Sequence, residues 1–154
     1  MQIGIRIMER FSNKRINVPK APEATSQSVL KSMRGNKSKN TKPEMILRRL
    51  LHKEGFRYRV HHDLYGRPDI IFKSKKAAIF VDGCFWHGCP RCYKEPKTNT
   101  SYWEKKIARN RQRARTVNRK LNKDGWRVMR VWEHEIIKSS DKVKNNIVAK
   151  FFNE

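Results

Sequence analysis

The stretch that decides the fold is residues 66–82, which read GRPDIIFKSKKAAIFVD. A Gly-Arg-Pro turn signal leads into an apolar strand pattern over residues 69–72. A polar turn over residues 73–76 follows, and residues 77–81 form an almost continuous apolar run. Such a run is typical of a central strand that is covered on both faces. The stretch therefore predicts two neighbouring strands joined by a tight turn.

Helical patterns surround this pair of strands. Thr41 suits a helix N-cap, Glu44 occupies the capping-box position, and apolar residues then recur at helical spacing until Gly55. The later patterns predict a strand over residues 56–60, a long helix over 100–123, a strand over 126–132 and a last helix over 141–151. This order of helices and strands indicates an α/β domain, with a mixed sheet flanked by helices.

The charge balance points to a polyanionic partner. The 154 residues include 37 Lys and Arg against 14 Asp and Glu, which gives a net charge of +23. Nucleic acid is the expected partner of so basic a protein. The composition excludes a transmembrane helix, because no run approaches the ~20 apolar residues that a bilayer requires. These numbers predict affinity for phosphate, but they identify no reaction.

The chain divides into a basic arm, residues 1–40, and a folded domain, residues 41–154. The first 42 residues contain ten Lys and Arg against two Glu, a net charge of 10 − 2 = +8, and Pro19 and Pro22 interrupt any long periodicity. We expect the arm to be partly disordered without DNA, with a short helix near residues 27–33. The alternative is a leader with no role in binding.

The cellular setting is expected to be reducing and cytoplasmic. Residues 1–11 are interrupted by charged side chains and lack the apolar segment of a signal peptide. Three cysteines cannot all pair with one another, and a disulfide scaffold of this size would need more of them.

Three cysteines fall within one predicted loop. Cys89 and Cys92 have the Cys-x-x-Cys spacing, and Cys84 lies five residues earlier. This spacing is typical of structural zinc, which is tetrahedral and takes nitrogen and sulfur ligands. The fourth ligand could be His87 in the loop or His134 just after a predicted strand. The alternative to zinc is three ordinary buried thiols.

Acidic residues at strand ends form a second candidate site. Asp69 precedes one strand of the central pair and Asp82 ends the other, so the two carboxylates, or Asp69 and the Val81 carbonyl, are expected at one edge of the sheet. Glu44 could approach the same point. Such hard oxygen ligands suit Mg²⁺, which assists phosphodiester hydrolysis. The alternatives are local: an Asx turn for Asp69, a loop cap for Asp82, and the capping box alone for Glu44.

Two further features of the cysteine loop carry predictions. His87 is the natural proton acceptor at neutral pH, provided that it is not a metal ligand. Phe85 and Trp86 lie at the loop tip, where large apolar side chains can wedge between base pairs. Their alternative is packing under the loop. Trp103 fits either a buried helix stripe or the DNA surface.

Five stretches resemble the very short patch repair (Vsr) DNA mismatch endonucleases. They are residues 40–44 (NTKPE), 66–70 (GRPDI), 81–89 (VDGCFWHGC), 102–110 (YWEKKIARN) and 125–133 (GWRVMRVWE). They follow the family's order and approximate spacing over about residues 33–136. The resemblance implies a restriction-endonuclease-like α/β fold and a Mg²⁺-dependent nick 5′ to the thymine of a T:G mismatch. Such mismatches arise when 5-methylcytosine deaminates.

The family's functional residues map by position onto three sets in this chain. Asp69 and the Val81 carbonyl would bind Mg²⁺, while Glu44 and His87 would assist the attacking water. Structural zinc would be held by Cys84, Cys89, Cys92 and His134. The DNA contacts would be Phe85, Trp86 and Trp103 as wedges, with Lys106 and Asn110 at the bases. Independently of the resemblance, Arg109 and Arg113 are expected to contact DNA because they belong to the same basic helix.

The resemblance also implies where the protein works and with what. Double-stranded DNA is the expected partner, and the protein is expected to act as a monomer in the cytoplasm of a bacterial-type cell, at the nucleoid. A DNA cytosine methyltransferase system and mismatch-repair proteins are candidates for further partners.

The chain departs from the family pattern at Asp82, because some members have histidine there. Asp82 is therefore expected either to handle a proton or to add a metal ligand. The lysine that many nucleases place two residues further on is replaced by Cys84, which favours His87 as the base. One alternative function is a Vsr-like nicking or restriction endonuclease that recognises a sequence without a mismatch. Another is a non-catalytic, zinc-braced DNA-binding module.

Overall fold

The computed structural model describes residues 14–153. Its centre is the predicted strand pair, β1 (Ile70–Phe72) and β2 (Ala77–Asp82), which are antiparallel and joined by a 3-10 turn over Lys73–Lys75. Strand β3 (Arg127–Trp132) pairs with β2 in the parallel direction. Within the described residues the sheet therefore has three strands in the order β1-β2-β3, with β2 in the middle. This mixed sheet confirms the predicted α/β class.

Four helices accompany the sheet in the described part of the chain. They are α1 (Gln27–Gly35), α2 (Lys42–Lys53), α3 (Thr100–Lys123) and α4 (Glu133–Phe151). Helix α1 coincides with the short helix that we expected in the arm, and none of its residues is buried. None of these helices is long and apolar enough to span a bilayer.

The two faces of the sheet have separate hydrophobic cores. Alternate residues of β2 point in opposite directions, so Ala77 and Ile79 pack with α2 and α4, whereas Ala78 and Phe80 pack under α3. The larger core consists of Leu47, Leu51, Ile70, Phe72, Ala77, Ile79, Val131, Ile136, Val143, Ile147 and Phe151. Helices on both faces explain why β2 is apolar along almost its whole length.

Two elements differ from the sequence expectation. Residues 56–60 form no strand in the structure, only a bridge in which Arg59 and Ile71 exchange two hydrogen bonds of 2.9 Å. Their alternation arises because Phe56 and Tyr58 pack edge-on against Phe72. Helix α4 begins at Glu133 and not at residue 141, since its first turns precede a kink at Ser139, where φ is −152°.

Gly66 lies in the turn that leads into β1. Its φ is +81°, and a Cβ atom built there would overlap the side chain of Val117 on α3. The left-handed backbone and the close approach of a core helix together require glycine at this position.

We expect Gly66→Ala to lower the free energy of unfolding by about 2–4 kcal/mol, because backbone strain and overpacking add. Urea denaturation followed by circular dichroism measures this loss. Gly35→Ala is the matched control, since nothing lies within 4 Å of a Cβ at Gly35 and its φ is not positive. Equal stability of the two variants would show that the Gly66 turn tolerates a side chain.

Candidate active site and metal cluster

Asp69 lies at the edge of the sheet where β2 ends. Because β1 runs antiparallel to β2, the residue before β1 lies beside the last residues of β2. The Val81 N–H donates to Asp69 Oδ2 at 2.7 Å, and the Asp69 N–H donates to the Ile79 carbonyl at 3.0 Å. The structure thus brings together Asp69 and Val81, as the strand pattern predicted.

The Asp69 carboxyl is in an unusual electrostatic environment. Its pKa is raised to about 6, mainly by burial; the charges of Glu44 and Asp82 contribute to this increase, while the Val81 N–H and Arg48 oppose it. No described residue donates a hydrogen bond to Asp69 Oδ1. On balance, the surroundings of the Asp69 carboxylate therefore disfavour its negative charge, and its Oδ1 is available to bind a cation.

Glu44 lies near Asp69 but is held by the start of α2. Its Oε1 accepts from the Thr41 hydroxyl at 3.0 Å, and its Oε2 accepts from the Asn40 N–H at 2.8 Å and from Arg48 Nη2 at 3.2 Å. The Arg48 Nη2 also donates to the Asp69 carbonyl at 3.1 Å. The local capping role of Glu44 is thus present, and Arg48 links it to Asp69.

Asp82 is paired with a residue that sequence reasoning missed. Its two oxygens accept hydrogen bonds from Nε and Nη2 of Arg130, both at 2.7 Å. His87 Nε2 lies 3.7 Å from Asp82 Oδ1. Burial lowers the pKa of His87, the Asp82 charge raises it, and the Arg130 and Arg111 charges lower it, with a net decrease. His87 is therefore neutral at neutral pH and able to accept a proton.

One groove of about 630 Å³ contains several of the predicted residues. Asp69, Val81, Glu44 and His87 line it, whereas Asp82 does not. The lining also includes residues 35–38, which are the last residue of α1 and the three residues after it. Trp86 and Glu133 also line the groove.

The three cysteines and His134 form a compact cluster. Their ligand atoms all lie within 4.8 Å of one another, and His134 Nδ1 is 3.2 Å from Cys84 Sγ and 3.5 Å from Cys89 Sγ. Of the two histidines that the spacing left open, His134 joins the cluster and His87 does not. A donor set of three sulfurs and one nitrogen fits tetrahedral zinc, whose ligand atoms are about 3.5–4 Å apart.

Polar groups hold the loop that carries this cluster. Glu133 Oε1 accepts from the Cys84 N–H at 2.7 Å, and Arg111 donates to the carbonyls of His87, at 2.9 Å, and Gly88. On α3, Asn110 Nδ2 donates to the Trp86 carbonyl at 2.8 Å. Sequence reasoning missed Arg111 and Glu133, since each acts on a backbone group distant in sequence.

The expected wedge residues form an aromatic cluster at the loop tip. Phe85, Trp86 and Trp103 have ring centroids 5.1–6.0 Å apart. Tyr93 and Tyr102, which the sequence did not single out, extend the cluster through contacts with Phe85 and Trp103. Trp86 retains 37% of its surface exposed. Trp103 thus belongs to this cluster and not to the buried stripe of α3.

Of the predicted DNA contacts on α3, Asn110 bonds to the cysteine loop. Arg113 is exposed, while Lys106, Arg109 and Asn110 are half-buried. The amide of Asn110 is engaged with the loop, as described above. Gln112, two residues after Asn110, pairs with the arm: its Nε2 donates to the Lys14 carbonyl at 2.9 Å, and its Oε1 accepts from the Ile16 N–H at 3.2 Å.

Both a family model and individual relatives match this chain in sequence. Residues 24–94 match the family model described as DNA mismatch endonuclease Vsr. The type II nicking enzyme V.NaeI of Lentzea aerocolonigenes is 48% identical over 111 residues, which cover 68% of this chain and 67% of that protein. The DNA mismatch endonuclease Vsr of Escherichia coli K12 is 41% identical over 106 residues, 67% of each chain.

Among solved structures, the catalytic domain of the homing endonuclease I-Bth0305I matches with a TM-score of 0.50 and 22% identity. The match covers 74% of this chain and all of that domain. At this identity the likeness concerns the fold alone. The sequence matches carry the assignment: the chain belongs to the Vsr DNA mismatch endonuclease family and is a DNA nicking endonuclease.

Proposed function

We propose that the protein is a Mg²⁺-dependent endonuclease that nicks one strand of duplex DNA at a short, specific sequence. The observation that carries this proposal is the placement of the Asp69 carboxylate against Val81, in a groove that also contains His87. The 48% identity to an enzyme named for nicking supports sequence-directed cleavage.

The Asp69 end of the groove fits a hard divalent cation. Asp69 Oδ1 and the Val81 carbonyl would hold Mg²⁺, and the raised pKa of Asp69 marks a place where positive charge is favoured. Bound there, Mg²⁺ would supply Lewis-acid polarisation of the scissile phosphate. Asp82 is not part of this ligand set in the proposal, because Arg130 engages both of its oxygens.

His87 is the proposed general base. It takes a proton from a water molecule as the water oxygen bonds to phosphorus, and the bond from phosphorus to the 3′ oxygen breaks. The departing 3′ oxygen then takes a proton from solvent, which leaves 3′-hydroxyl and 5′-phosphate ends. The low pKa of His87 keeps its ring neutral, as this role requires.

Zinc is proposed as a structural ion in the cluster of Cys84, Cys89, Cys92 and His134. Burial acts to raise the pKa of the Cys89 thiol, but N–H donors of Arg91 and Cys92 and the neighbouring thiols lower it overall. The surroundings of Cys89 therefore favour the thiolate that a metal needs. Burial raises the pKa of the Cys84 thiol to about 12, so a metal bound there would have to displace its proton. Zinc would cross-link the loop to α4 and so fix the position of His87.

DNA binding is proposed to combine charge with aromatic insertion. Residues 104–123 of α3 carry nine Lys and Arg against one Glu, and the arm adds further positive charge. The cluster of Phe85, Trp86 and Trp103 is the proposed wedge, which would unstack a base step at a cost of a few kcal/mol.

A second candidate function is cleavage at a T:G mismatch, as the family resemblance implied. The aromatic cluster favours it, because a mismatched step is already weakly stacked and is unstacked at lower cost. The 41% identity to a mismatch endonuclease also supports it. This candidate shares all the residues of the first and differs only in the DNA.

A pair of duplexes separates the two candidates. We expect nicking of an end-labelled duplex with a normal T:A pair at the target sequence, at a rate within about tenfold of the T:G version. Denaturing gels measure both rates in the presence of Mg²⁺. A rate at least about a thousandfold lower on T:A would select the mismatch function. Tight, salt-sensitive binding without any nick would contradict both.

Asp69→Ala is expected to reduce nicking by about 10³-fold or more, because it removes the proposed metal ligand. Binding to the same duplex, measured by fluorescence anisotropy, should remain largely unchanged. Asp69→Asn serves as a second variant that preserves the side-chain shape, and Asp141→Ala, on an exposed part of α4, is the control. Nicking by either Asp69 variant at the wild-type rate would reject the assignment.

Zinc content distinguishes the two histidines. We expect one zinc per chain in the wild type and in His87→Ala, and clear loss of zinc in Cys89→Ala and His134→Ala. Plasma mass spectrometry of the purified proteins measures this directly. His87→Ala should nonetheless slow nicking by about 10²–10⁴-fold as a lost general base. Release of zinc by His87→Ala would make His87 a ligand instead.

A further inference from the structure

Arg130 makes a contact through each of its three guanidinium nitrogens and through one face of the group. It extends from β3 under α3, where its Nη1 donates to Asn118 Oδ1 at 3.1 Å and its Cζ lies 4.4 Å from the ring centroid of Phe80. Its Nε and Nη2 both bind Asp82. Three directional contacts and a stacking contact leave the group one orientation.

Asp82 in turn faces His87. The Asp82 side chain is nearly buried, and its Oδ1 lies 3.7 Å from His87 Nε2. A ring that presents Nε2 to Asp82 has Nδ1 left for the groove, which His87 lines. The backbone of His87 is held separately, by Arg111 at its carbonyl. Asp82 is thus the charged group that faces the His87 ring, at a distance longer than a hydrogen bond, and Asp82 is itself held by Arg130.

We infer that Arg130 is a positioning residue for strand cleavage, acting through Asp82 on the ring of His87. The inference rests on the proposed function, in which His87 is the general base. A carboxylate that contacts the far nitrogen of a base histidine fixes the ring and its tautomer. In this chain Asp82 supplies that carboxylate. Arg130 holds Asp82 in one orientation and balances its negative charge.

Two other roles for Arg130 predict different behaviour. A phosphate contact requires donors that point to the DNA, whereas three of the five N–H groups of Arg130 donate to Asp82 and Asn118 within the protein. Such a contact predicts that loss of Arg130 weakens DNA binding and leaves the saturated rate unchanged. A purely structural role requires that its loss affect stability and not the rate of the chemical step in the folded fraction.

The test is a double-mutant cycle of Arg130→Met and Asp82→Asn, read by single-turnover nicking at varied enzyme concentration. We expect each single variant to slow the saturated rate by about 10–100-fold, with the half-saturating concentration changed by less than about twofold. In the double variant the loss should exceed that of the worse single variant by no more than about threefold, because both act through His87.

Two controls accompany the cycle. Arg130→Lys keeps the positive charge and should recover part of the rate, and it remains informative if Arg130→Met fails to fold. Arg127→Met is the matched control, since Arg127 lies on the same strand but donates to the carbonyls of Lys150 and Phe151, away from the groove. It should nick at a rate within about twofold of wild type.

The outcomes separate the inference from the function beneath it. Absence of nicking by the wild-type protein would overturn the proposed function. Wild-type nicking together with an unchanged rate for folded Arg130→Met would overturn only the role of Arg130. Losses that multiply in the double variant, or a loss confined to the half-saturating concentration, would also overturn it, because Arg130 would then act independently of Asp82.

Discussion

The hydrogen bond from the Val81 N–H to the Asp69 carboxylate is the contact on which the rest of the site depends. It exists because β1 turns back antiparallel on β2, so the residue that enters one strand meets the residues that leave the other. The groove, the cysteine loop and the first residues of α4 are all built outward from this edge. A change in register of one residue would turn Asp69 to the opposite face of the sheet.

The cysteine loop has little core of its own, and residues of two helices, α3 and α4, hold it in place. His134 from α4 joins its thiols, Glu133 accepts from its backbone, and Arg111 from α3 binds its carbonyls. This arrangement places His87 beside Asp82 while leaving the aromatic tip partly exposed. The loop therefore joins the proposed proton acceptor and the proposed wedge in one segment, with its base held by polar contacts and Trp86 at its tip partly exposed.

The strand pattern of residues 66–82 was sufficient to predict the edge of the sheet that carries Asp69. In an antiparallel pair, the start of the first strand lies beside the end of the second strand. The Cys-x-x-Cys spacing predicted the cluster but left its histidine open, since His134 is 42 residues away from Cys92. The pairing of Asp82 with Arg130 was not predictable, because it depends on which face of the sheet each side chain occupies. The predicted strand over residues 56–60 was wrong. Its apolar alternation arises because Phe56 and Tyr58 pack against Phe72 in the core, and not from pairing along a strand.

The bond from the Asn110 amide to the Trp86 carbonyl joins helix α3 directly to the tip of the cysteine loop. It uses one of the two hydrogens of that amide and leaves the other hydrogen and the amide oxygen outside the bond. The amide is therefore held in one orientation beside the partly exposed ring of Trp86. Any displacement of the tip relative to the helix costs this bond, so that helix and tip form one preassembled surface.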